Sequence, residues 1–110
     1  MSNRSSTLLV QDILESAEKI KRYTDGLSFE EFTLDEKTTD AVARNFEIIG
    51  EAANRLPSEF KAQSPEIDWN RLRGFRNRIV HDYFGIDYAI VWKIIEDYLP
   101  DLIDTLRRTK

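Results

Sequence analysis

Cysteine is absent from this chain. Disulfides and thiolate-ligated metals are therefore excluded. Glycine and proline are scarce, four and three in 110 residues. That is too few to punctuate the many turns of an all-β protein. The longest unbroken apolar run, Tyr88 to Trp92, is five residues, far short of a membrane span. The opening Met1-Ser2-Asn3-Arg4-Ser5-Ser6 lacks the apolar stretch of a signal peptide, so a cytoplasmic protein is expected. Composition also argues against disorder, with 41% hydrophobic and 33% charged residues. The length suits one domain over residues 1–110, built around one core.

What is present is helical periodicity. Leu9, Ile13, Ala17 and Ile20 form one stripe of a helix expected from about Ser6 to Thr24. Asp25-Gly26 supplies its stop. Ser28-Phe29-Glu30-Glu31 has the form of a capping box and predicts a short helical turn. A second long helix is expected from about Asp35, as N-cap, to Leu56, ended by Pro57. Its stripe is Val42, Phe46, Ile49 and Ala53, widened by Ile48 and Ala52. Ser58 is expected to cap another short turn. Asp68 should cap a third helix resting on Leu72, Phe75 and Ile79, and failing between His81 and Gly85. Asp87 should cap a fourth, with Ile90, Ile94, Tyr98 and Leu102 on one side. Pro100 lies inside that last pattern and should kink or restart the helix. The expected fold is all-α, an antiparallel bundle of four to five helices.

Gly50 and Gly74 fall inside helices, where each costs about 1 kcal/mol relative to alanine. Close helix approach would compensate. Gly50 is expected to meet a neighbouring helix backbone, the third helix first.

The net charge is −4, which argues against a general affinity for nucleic acid. The third helix departs from that average. From Trp69 to His81 it carries Arg71, Arg73, Arg76 and Arg78 and no acid. A basic helix on an acidic chain points to a local anionic ligand.

His81 is the only histidine. Asn77 lies one turn before it, where an amide can orient an imidazole. Tyr83 lies two residues after it. Arg76 and His81 are about 140° apart on a straight helix, awkward for a shared ligand. Either the helix unwinds by His81, or a second copy of the domain completes the site. These groups suit RNA cleavage without a metal. Histidine can take the proton of a ribose 2′-OH or return it near neutral pH. An arginine fork stabilises the charge gathering on the phosphorus oxygens. Tyr83 can donate to a phosphate or stack on a base. The competing constellation is Glu47 and Glu51, one turn apart and able to hold a divalent cation. Ion pairing to Arg44 and Arg55 accounts for both without a metal. No resident metal or other cofactor is expected.

Two stretches carry a resemblance. One is Arg44-Asn45-Phe46-Glu47-Ile48-Ile49-Gly50-Glu51-Ala52. The other is Arg76-Asn77-Arg78-Ile79-Val80-His81-Asp82-Tyr83-Phe84, which contains Arg-x4-His-x-Tyr. Together they resemble the HepT branch of the HEPN superfamily, from about Leu9 to the last helix, including Trp92 and Leu99-Pro100. The resemblance implies a helical bundle that dimerises with the motif at the interface. It implies a metal-independent endoribonuclease, the toxin of a type VII toxin–antitoxin pair. The implied partner is a minimal nucleotidyltransferase, MNT, that transfers adenylate from ATP to the motif tyrosine and silences the toxin. Carried across, Arg76 and His81 are the catalytic pair, Asn77 follows the arginine, and Tyr83 is the modified tyrosine. Arg73 is expected to support the site. A second reading is a non-catalytic subunit that presents a nucleotide or substrate to the nucleotidyltransferase.

Overall fold

The computed structural model describes residues 4–81 and 87–109, and of residues 76–81 and Thr109 the backbone alone. Every regular element among the described residues is helical. Four long helical segments make a bundle, and two short helices join them. They are α1 (Ser6–Thr24), α2 (Phe29–Leu34), α3 (Glu36–Arg55), α4 (Ser58–Ala62) and α5 (Trp69–His81). A last rod follows, made of α6 (Tyr88–Lys93), a π-helical turn (Ile94–Tyr98) and α7 (Leu99–Thr109).

Local chemistry accounts for most of the boundaries. Ser5 Oγ accepts from the Leu8 N–H at the start of α1. Gly26 takes φ 81° just past its end, the left-handed conformation only glycine enters freely. At α2 the capping box is complete. The Glu31 N–H donates to Ser28 Oγ (3.1 Å), and the Ser28 N–H donates to Glu31 Oε1 (2.9 Å). Asp35 caps α3 through Thr38, Asp68 caps α5 through Arg71, and Asp87 caps α6 through Ala89. The carboxyl of Asp35 is held below its usual range, first by the Thr38 hydroxyl and then by the Thr38 N–H. Ser58 is not a cap. It is the first helical residue of α4, and Pro57 occupies the cap position without a side-chain bond. Proline has no N–H to lose there, and its fixed φ suits helix entry.

α3 is the central element, packed on α1 at one side and α5 at the other, with α7 closing against α1. The expected stripes are buried, Leu9, Ile13, Ala17 and Ile20 on α1, and Val42, Phe46, Ile49, Ala52 and Ala53 on α3, except that Ile48 is only half-buried. Gly50 is buried on α3 as well. Gly74 departs from expectation. A Cβ built on it meets no atom within 4 Å, so close contact does not account for the glycine.

The last rod also differs from the sequence reading. Ile90 is 47% exposed, and Val91, Ile94, Ile95, Leu99 and Leu102 carry the buried face. At Pro100 regular α-helix is interrupted and restarts, as expected: α7 begins at Leu99, after a π turn. The chain widens into a π turn, with the Leu99 N–H reaching back to the Ile94 carbonyl. Widening relieves the clash between the proline ring and the preceding turn.

Candidate functional site

α5 is fixed by anchors at its first turns. The Trp69 indole N–H is shared between the carbonyls of Lys61 (3.2 Å) and Ser64 (3.1 Å). Its ring meets Phe60 edge-on at 6.3 Å. Leu72 is fully buried, and Phe75 meets the ring of Phe46 on α3 at 5.1 Å. Indole, Leu72 and Phe75 set the rotation of α5 about its axis.

That rotation places the motif. α5 keeps helical geometry through His81, so unwinding before His81, one of the two options open from sequence, does not occur. In this register the backbone of position 76 lies one turn beyond Leu72, and that of position 81 two turns beyond Gly74. The side chains of Arg76, Asn77 and His81 lie outside the described residues, as does Tyr83 entirely. Ile79, expected to help hold the helix, is in the same position.

Arg71 and Arg73 are described, and both are exposed. Among the described residues neither has a carboxylate within ion-pair distance. Arg71 lies over the Tyr98 ring, its guanidinium carbon 4.0 Å from the centroid. Tyr98 in turn meets Phe75 edge-on at 6.2 Å. Burial pushes the Tyr98 phenol up, Asp68 adds to the rise, and Arg71 opposes them. Burial also lowers the Lys61 ammonium, and the charge of Arg73 pushes it the same way. The first turns of α5 thus gather positive charge, and among the described residues no carboxylate pairs with Arg71 or Arg73.

The carboxylate alternative looks different. Arg44 Nη1 holds Glu47 Oε1 at 2.9 Å, and Arg55 Nε holds Glu51 Oε1 at 3.4 Å. Both acids line a groove of about 400 Å³ between α1 and α3, with their arginines beside them. Among the described residues no three acids or histidines converge as a metal would need.

Sequence reasoning missed two features. Phe29, Phe32, Tyr88 and Trp92 form one aromatic cluster joining α2 to α6, with Phe32 fully buried. The second is the Arg71–Tyr98 stack, 27 residues apart in the chain. The only signal for the first was the capping box that starts α2. For the second there was none.

Comparison with known proteins now adds to this geometry. A protein of Thermococcus cleftensis named "Probable ribonuclease HepT" is 40% identical over 99 residues, 90% of each chain. An RNase by name from Methanocaldococcus jannaschii is 37% identical over 102 residues, covering 93% of this chain and 94% of that one. Another, from Caldanaerobacter subterraneus, is 38% identical over 93 residues, covering 84% and 83%. No solved structure gives a significant match. Residues 13–109 match the family described as "Ribonuclease HepT-like", a span that takes in the whole bundle from mid-α1 onward, and the chain belongs to that family.

Proposed function

We propose that this protein is an endoribonuclease toxin that cuts RNA without a metal, with Arg76 and His81 as its catalytic residues. The observation that carries this reading is α5 itself. It is a basic helix, firmly anchored, lying wholly inside the span matched to a ribonuclease family. His81 accepts the 2′-OH proton or donates to the leaving oxygen. Arg76 neutralises charge on the phosphoryl oxygens. Asn77, one turn before His81, holds the imidazole, and Arg73 adds positive potential to the approach.

The active form is a homodimer. On a straight α5, Arg76 and His81 of one copy are about 140° apart, so a two-fold axis near α5 is needed to bring both to one phosphate. The partner is a minimal nucleotidyltransferase antitoxin that adenylylates Tyr83: the phenol oxygen loses its proton and attacks the α-phosphorus of ATP, and pyrophosphate leaves. The added phosphodiester pairs with an arginine of the site, and the purine blocks the entry of RNA.

The test is cleavage of single-stranded RNA by purified wild type, His81→Ala and Arg76→Ala, each with and without EDTA. Cleavage by wild type alone, unchanged by chelator, supports the reading. Activity that survives His81→Ala, or that EDTA removes, overturns it. Incubation with the nucleotidyltransferase and ATP should place adenylate on Tyr83 and silence cleavage. A protein unmodified there, or modified and still active, defeats the switch.

A further inference from the structure

Between α5 and the final rod runs a groove of about 560 Å³, the size of a small-ligand site. Gly74 and Phe75 line it from α5, and Ile90 and Ile94 from the last rod. Three observations need a common explanation. Gly74 sits inside a helix, where glycine is disfavoured, yet a Cβ there would meet nothing within 4 Å. Packing within the chain therefore gives no reason for glycine. Ile90 leaves 47% of its surface in water at the opposite wall. Arg71, which also lines the groove, has its guanidinium over Tyr98 and no carboxylate partner among the described residues.

We propose that this groove is a nucleotide subsite that takes a base of single-stranded RNA adjoining the scissile phosphate. The inference rests on the ribonuclease reading and extends it to substrate selection. The stack Phe75–Tyr98–Arg71 ends in a planar cation, a surface on which a base lies well. Gly74 lets the flat ring come down to the helix backbone. Ile90 and Ile94 cover its apolar edge, while Asn70 at the mouth offers an amide to base edges. Charge complementarity favours a polyanion. Among the described residues Arg71 has no carboxylate partner, while Lys93 and Asp97, which also line the groove, pair with each other at 3.1 Å and leave it one net positive charge. Continuity with the motif supplies the direction. Gly74 and His81 lie on one face of α5, about 10 Å apart along its axis. A strand cut at His81 therefore runs its next nucleotide over the groove.

The experiment compares Gly74→Leu and Ile90→Glu with wild type. Leucine at position 74 keeps helix propensity and fills the open space. Glutamate at the exposed position 90 repels phosphate without disturbing the core. Cleavage is measured on an oligoribonucleotide and on the dinucleotide spanning its cut site. Preference for the longer substrate should fall at least tenfold in both variants, mainly through KM. An unchanged preference overturns the subsite and leaves the nuclease reading standing. Sedimentation runs alongside, and a variant that dissociates a wild-type dimer assigns the groove to a second copy, which also overturns it. If wild type cleaves neither substrate, the nuclease reading fails first, and fluorescence anisotropy with the same oligonucleotide decides the groove. Binding by wild type weakened tenfold in both variants upholds it. Equal binding, or none, removes it.

Discussion

α3 and α5 pack against each other and treat charge and space in opposite ways. α3 carries acids and bases together, and its Arg44 and Arg55 lie against Glu47 and Glu51 of the same helix. α5 carries arginines only, and its described ones, Arg71 and Arg73, find no acid among the described residues. The glycines repeat the contrast, since Gly50 of α3 is buried and Gly74 of α5 faces open space. Surface ion pairs such as those of α3 contribute little to stability, but they leave no charge looking for a partner. α5 holds its charge and its gap unspent.

The comparison can be broken most decisively at its chemical end. His81→Ala and Arg76→Ala should each lower RNA cleavage by roughly 100-fold or more while far-UV circular dichroism stays unchanged. A matching change on α3, Glu47→Gln, should leave cleavage within a few-fold of wild type. If it abolished activity, the assignment of roles to the two helices would be reversed.

Next comes the contact between the two helices. Phe46 is fully buried against Phe75. Phe46→Ala should cost about 3–5 kcal/mol in urea denaturation. A loss under about 1 kcal/mol would mean that α5 is held elsewhere.

The glycines sharpen the contrast with changes of opposite sign. Gly50→Ala puts a methyl into a buried position and should destabilise by about 1–3 kcal/mol. Gly74→Ala adds the same methyl to open space and should stabilise by about 0.5–1 kcal/mol. Equal signs in thermal melts would show that the two positions are alike after all.

The smallest effect is a pH dependence. Burial raises the Tyr98 phenol above its ordinary value of 10.0. A raised folded-state value contributes stability that is complete below the unfolded pKa and is lost as pH climbs through the folded one. Stability should therefore decline above pH 10, and Tyr98→Phe should flatten that alkaline limb in denaturant titrations.

Much of this was legible in the sequence, and the misses are instructive. Asp35, Asp68 and Asp87 announced three helix starts because a cap needs only a carboxylate and the next few N–H groups. Ser58 misled because proline before it serves the entry unaided. Ile90 was placed in a buried stripe and is exposed. Ile90, Val91 and Trp92 offer apolar side chains at three successive angles, so periodicity cannot choose among them. The aromatic cluster with Phe29 and Phe32 on α2 makes the choice. At the motif, the residue types and their spacing were plain, while the angular problem between Arg76 and His81 could not be resolved without knowing that α5 stays helical to His81.

The sequence by itself determined the helical class, the caps and the buried stripes of α1 and α3, because each depends on residues within one or two turns of each other. It also determined the chemistry on offer, four arginines and one histidine on a helix without acids. Tertiary structure alone decided that Arg71 lies over Tyr98 and that Gly74 opens on a groove. Each of these depends on how far one helix is rotated and shifted against another. That is set by the whole core at once, and no short stretch of residues encodes it.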